Sequence, residues 1–145
     1  MSGLEDFARL VDGDHGLCVV STLRPDGTIQ SSVVNAGAIA HPGTGEPVLA
    51  FVTYGATKLR NLRARPQLTA TFRAGWAWAT IEGTAELVGP DDPNTGVASG
   101  ALPELLRAIF RAAGGTHEDW DAYDREMVAS RRAAVLVVPD RIYGS

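Results

Sequence analysis

The hydrophobic positions of this chain follow two periods, and each change of period marks the edge of an element. In residues 3–12 (GLEDFARLVD), Leu4, Phe7, Ala8 and Val11 recur at helical spacing, which predicts a short amphipathic N-terminal helix. Residues 16–23 form a β-type run that ends at Arg24-Pro25-Asp26-Gly27. Proline presets the first turn dihedral and Gly27 accepts a positive φ, so this tetrapeptide predicts a hairpin. The returning strand, 28–40, changes character along its length: Ile29, Val33 and Ile39 share one parity with Ser31, Asn35 and Gly37. Residues 41–47 (HPGTGEP) read as a loop and 48–54 as a buried strand.

A short helix starts at Thr57, stops before Pro66, and carries one apolar edge, Leu59 and Leu62. Residues 67–73 and 76–88 pair as a hairpin across Ala74-Gly75. In the second, Trp76, Trp78, Thr80, Glu82, Thr84 and Glu86 share a face opposite Ala77, Ala79, Ile81, Ala85 and Leu87. Gly83 in mid-strand predicts a bulge or a close backbone approach. After a loop at 89–96, Leu102, Leu105, Leu106, Ile109 and Phe110 form the stripe of a helix. Thr116 with Asp119 resembles a capping box for a second helix through Arg131, with Trp120, Tyr123, Met127 and Val128 as its buried edge. Residues 133–138 make a last strand. The order βββ(short α)ββ, a helical insertion near 97–131, then β, predicts a single domain over 1–145. It is mainly β, a small closed barrel with appended helices.

Composition narrows the function classes. The 145 residues are 45% hydrophobic and 21% charged, ordinary for a globular protein. The apolar runs are too short to span a bilayer, and no charged segment followed by an apolar one opens the chain as a secretory leader would. A lone cysteine, Cys18, fits a core position in a reducing cytoplasm. A net charge of −4 argues against nucleic acid as a partner.

Against that acidic background, Lys58, Arg60, Arg63 and Arg65 crowd into one short helix. A helix N-terminus offers free N–H groups and the positive end of the dipole. Thr57 and Lys58 beside it suit a phosphate, the alternative being an ordinary solvated basic face. No His, Cys or Asp cluster has metal-ligand spacing, so no metal is expected. Asp91-Asp92 and Glu118-Asp119 read as loop and helix-cap charges. His15, His41 and His117 read as loop or helix-start histidines, and Tyr54 and Tyr143 as buried structural tyrosines that alternatively donate a proton to substrate.

The segments LCVVSTLRPDGTIQSSVV, FVTYGATKLRNLRARP and WATIEG, in this order, resemble the split β-barrel flavin-binding proteins related to pyridoxamine 5'-phosphate oxidase. They are more closely similar to the actinobacterial F420-dependent oxidoreductase branch. The most specific element is T-K-x-R-N-L with a proline four residues on, followed by the I-E-G strand. The resemblance implies a six-stranded FMN-binding split barrel that homodimerises, with cofactor sites at the dimer interface. It implies that Thr57 and Lys58 hold the cofactor phosphate, with Arg60 and Asn61 as second choices. It places the isoalloxazine-like ring along Ser32, Val33, Val34 and Asn35, largely through backbone groups, with Trp78 or Trp76 near it. Asn35 alternatively satisfies a backbone group at the barrel end, and the tryptophans alternatively anchor the interface. The true oxidases carry an arginine in the second strand and an Arg-Lys pair before the helix. Here Ser31, Ser32 and Ala56-Thr57-Lys58 stand instead, which argues against pyridoxamine phosphate oxidation.

The resemblance therefore implies an F420-dependent reductase that passes hydride to a small electrophilic or unsaturated substrate. The alternatives are an FMN-binding oxidoreductase and a non-catalytic flavin, deazaflavin or haem binder. The helical insertion, with Gly114-Gly115 as a hinge, reads as a rim or lid. Arg125, Arg131 and Arg132 either meet an anionic cofactor tail or pair with Glu118, Asp121, Asp124 and Glu126.

Overall fold

The structure, a computed structural model, describes Leu4, residues 16–92 and residues 101–145. Six strands close into a barrel: β1 (Leu17–Leu23), β2 (Ile29–Ala40), β3 (Pro47–Thr53), β4 (Gln67–Ala74), β5 (Ala77–Val88) and β6 (Ala133–Gly144). The order around the barrel is β1-β2-β3-β6-β5-β4, with β4 returning to β1, and every pairing is antiparallel. Helix α1 (Ala56–Ala64) joins β3 to β4; α2 (Leu102–Ala112) and α3 (Trp120–Ala129) lie between β5 and β6. None of the described helices is long and apolar enough to cross a membrane. Most of the expected N-terminal helix, and His15, lie outside the described residues; Leu4 packs on the barrel core.

Period-two alternation sorts the side chains. Cys18, Val20, Val34, Leu49, Phe51, Phe72 and Ile81 fill the barrel. Val48, Ala50, Ala134 and Leu136 point the other way and form a second cluster with Leu105, Leu106, Ile109 and Tyr123. One wall of the barrel is thus buried on both faces, which explains the continuous apolar runs in β3 and β6. The change of character along β2 has its cause here. A Cβ on Gly37 would lie 2.3 Å from the Ala112 carbonyl carbon, so only glycine lets the end of α2 rest against the strand. Gly83 answers both expectations: the β5–β6 register shifts between Glu82 and Gly83, and a Cβ there would lie 2.7 Å from the Val138 carbonyl oxygen.

Three local expectations are corrected. Asp119, not Thr116, caps α3, accepting from the Ala122 N–H at 3.1 Å. Val128 is 73% exposed, because α3 buries only the edge containing Tyr123. Gly114 takes φ +90° and Gly115 N–H returns to the Phe110 carbonyl at 2.9 Å, so this pair terminates α2 as a C-cap rather than serving as a hinge.

Candidate functional site

β3 delivers the chain through Tyr54 to Gly55, the N-cap of α1. Gly55 has extended backbone (φ −63°, ψ 107°) and offers no side chain to the first-turn amides; no acidic residue stands in that turn. The amides and dipole of this helix end are therefore free for an external anion. Thr57 is exposed beside them.

Lys58, the chain's one lysine, turns inward. It is only 7% exposed, its Nζ donates to Thr53 Oγ1 at 3.3 Å and sits 5.7 Å from the Phe51 ring centroid, and no carboxylate among the described residues pairs with it. Burial lowers its pKa from the ordinary 10.5. The neighbouring Cys18 thiol is no counter-anion, since burial pushes it up to about 12 and keeps it protonated at neutral pH. A buried ammonium with one hydroxyl partner is electrostatically incomplete.

The remaining cations of α1 separate by role. Arg63 makes a two-pronged pair with Asp92, Nε and Nη2 each at 2.8 Å, and Arg65 Nε donates to the Leu23 carbonyl at 3.0 Å. Both fasten the helix to the barrel. Asn61, 3% exposed, donates to Thr22 Oγ1 at 3.0 Å, and Thr22 donates in turn to Gln30 Oε1 at 3.0 Å. Its amide positions α1 on β1. Arg60 is exposed and, with Thr57 and Lys58, faces no protein carboxylate among the described residues.

β2 supplies the next feature. It pairs with β1 from Ile29 to Asn35 but with β3 only from Ala36 to Ala40. The β3-side edge of residues 29–35 carries no ladder bonds among the described residues, and this gap is the split of the barrel. Ser32, Val33, Val34 and Asn35 lie along that edge. Val34 is buried, Val33 is 64% exposed, and Ser32 Oγ is buried without a hydrogen-bond partner. Trp78 is 39% exposed and meets Tyr143 edge-on at 6.2 Å, whereas Trp76 stands 97% exposed in the β4–β5 turn, away from any core.

Arg132 was legible only as one of three arginines. Arg131 pairs with the loop charge Asp91, and Asp124 goes to Arg107 (Nε–Oδ1 2.9 Å) rather than to Arg125, Arg131 or Arg132. Arg132 instead sits over the Tyr54 ring, its guanidinium carbon 3.9 Å from the centroid, beside the start of α1. It lines a cavity of about 330 Å³ together with Asn35, Val52, Phe110, Tyr123 and Met127. Tyr54 is 60% exposed and Tyr143 38%, so neither is a buried tyrosine. His41 is 6% exposed, not a loose loop histidine: its Nε2 lies 2.7 Å from Glu86 Oε2, and its Nδ1 accepts from Gly43 N–H.

The pattern of the pyridoxamine 5'-phosphate oxidase family matches residues 5–144. The chain belongs to that family. It is a family of flavin-binding oxidoreductases built on this split barrel. Among solved structures, the chain is similar to the conserved hypothetical protein Rv2991 of Mycobacterium tuberculosis, at 19% identity, with 99% of this chain and 84% of that one covered and a TM-score of 0.71. It is similar to a pyridoxamine 5'-phosphate oxidase-related, FMN-binding protein of Nostoc punctiforme, at 12% identity, 97% and 82% coverage and a TM-score of 0.68. It is also similar to an F420 reductase, at 20% identity, with 88% of each chain covered and a TM-score of 0.57. At these identities the likenesses establish the fold.

The residues of this family member fit a phosphorylated flavin-like group. The uncapped α1 amides and Lys58 await an anion, and the open β2 edge and Ser32 Oγ lack partners that a polar ring edge would supply. If Lys58 is retained for a ligand rather than for the fold, Lys58→Met raises stability by about 1 kcal/mol in urea unfolding, since an apolar chain of similar length removes an uncompensated charge. The wild-type folded pKa lies below the unfolded value, so wild-type stability rises with pH through that window. The variant lacks that rise. A destabilised variant would instead make Lys58 a structural anchor of α1.

Proposed function

We propose that this protein is an F420-dependent reductase, a cytoplasmic homodimer of single-domain split barrels that reduces a small electrophilic or unsaturated substrate. The observation that carries the reading is Lys58, a buried cation with no counter-charge among the described residues, at a bare helix N-terminus. Thr57, Lys58 and the first-turn amides hold the cofactor phosphate. Arg60, on the exposed side of the same helix, meets further anionic groups of the cofactor. The β2 edge from Ser32 to Asn35 seats the polar rim of the ring through backbone groups, and the apolar wall excludes water from its face. Reduced F420, when bound, supplies a hydride. The chain's task is then to orient and desolvate, which requires no nucleophile or acid–base pair.

The absence of the oxidases' arginines at Ser31, Ser32 and Ala56-Thr57 favours F420 over FMN, and the similar structures include both an F420 reductase and an FMN-binding protein. The dimer is supported by an apolar outer face on β1 and β2. There Val19 pairs with Val33 and Leu23 with Ile29, and the four are 43%, 64%, 36% and 64% exposed. The two apolar pairs flank the hydrogen-bonded Ser21–Ser31 pair on one face, and exposed apolar side chains grouped in this way suit an association surface.

In direct competition read by tryptophan quenching, F420 binds more tightly than FMN. Lys58→Ala weakens F420 by about 1.5–3 kcal/mol, as expected for losing a charged hydrogen bond, while the protein stays folded. Preference for FMN would move the protein to the flavin branch, and unchanged affinity would remove Lys58 from the site. In sedimentation, the wild type is a dimer and Val19→Glu/Val33→Glu a monomer; a monomeric wild type would contradict the shared site.

A further inference from the structure

The cavity between α2, α3 and the barrel wall carries chemistry that the cofactor clamp does not use. Its lining joins apolar and aromatic side chains, among them Val52, Phe110, Tyr123 and Met127, to the polar groups of Asn35, His117 and Arg132. Phe110 and Tyr123 lie 5.0 Å apart with their rings tilted and belong to a cluster with His117 and Trp120 that makes this wall of the cavity aromatic. Met127 adds a polarisable, adaptable wall. A volume of about 330 Å³ is at the small end of ligand pockets, which run from about 300 to 1,000 Å³.

Arg132 gives the cavity its polarity. Its guanidinium is held from two sides, over the Tyr54 ring and by Nε donating to Ser130 Oγ at 3.1 Å. No carboxylate among the described residues pairs with Arg132, although nearby Arg63, Arg107 and Arg131 each have one. A held guanidinium presents parallel N–H groups that match a carboxylate. The position matters too. Tyr54 directly precedes the α1 N-cap, and Asn35, at the end of the open β2 edge, lines the same cavity. The cavity therefore opens beside the proposed cofactor seat.

We propose that this cavity binds the substrate, and that the substrate is a planar aromatic or conjugated carboxylate. Arg132 holds the carboxylate, and Phe110, Tyr123 and Met127 hold the unsaturated body. The inference rests on the reductase reading and names its substrate class. A carboxylate could reach Arg132 from the substrate or from the cofactor's anionic tail, and the experiment separates the two.

Titration calorimetry of the full-length chain would compare trans-cinnamate with the neutral trans-cinnamamide, first without cofactor and then with saturating F420. Cinnamate binds at least tenfold more tightly than the amide, and F420 does not displace it. Arg132→Ala abolishes the preference, Arg132→Lys keeps part of it, and Phe110→Ala weakens both ligands alike. Equal binding of the two probes, or binding of neither, overturns the proposal; this comparison needs only wild-type protein, so a variant that misfolds does not blunt it. Displacement of cinnamate by F420 also overturns it, assigning Arg132 to the cofactor tail. Because the first arm contains no cofactor, its failure is distinct from failure of the F420 reading, which the F420–FMN competition tests separately.

Discussion

Lys58 is the constraint around which the rest of the site is arranged. A lysine removed from water without a carboxylate lowers stability, and a fold keeps one only where something else completes it. Here the described surroundings offer no carboxylate. Thr53 offers a single hydroxyl, already accepting from Gly55 N–H at 3.2 Å, and Cys18 is too deeply buried to ionise. The helix that carries Lys58 begins at a glycine with no capping side chain and no acid in its first turn. The same few residues thus combine a buried positive charge with the positive end of a dipole, and both are relieved by one anion.

The barrel makes that arrangement possible. α1 fills the place where β3 parts from β2, and it is pinned on its far side by Asn61 to Thr22, Arg65 to the Leu23 carbonyl and Arg63 to Asp92. These contacts hold the helix start rigid while leaving it open. The parting of β2 from β3 also leaves the strand edge from Ser32 to Val34 without a β3 partner among the described residues. An unsatisfied backbone edge is usually a liability. Under the proposed function it becomes a template for the polar rim of a planar ring.

The strands were legible because barrel interiors impose strict alternation, and Gly83 announced a close approach that the structure contains, whereas the close approach at Gly37 showed only as a change of character along β2. The basic helix was legible as a cluster, but its division of labour was not. Arg63 and Asp92 are 29 residues apart, Arg131 and Asp91 are 40, and His41 and Glu86 are 45. Such pairings leave no local period in the sequence, so solvated charges and a loop histidine were the natural expectation. Val128 failed for a related reason: a helix edge read from spacing is buried only as far as its neighbour extends. Arg132 on Tyr54 escaped notice because β3 and β6 meet only in three dimensions. Their register, Thr53 opposite Ala133, is what brings the two side chains together.

A single lysine makes the central claim directly measurable. In protein labelled with carbon-13 lysine, one side-chain resonance reports the titration of Lys58. Without ligand its pKa lies below the ordinary 10.5, because burial disfavours the ammonium. Bound F420 brings a phosphate to that ammonium, favours the charged form and raises the pKa. A Lys58 that titrates at 10.5 in the free protein, or one whose pKa is unmoved by saturating F420, would contradict the account.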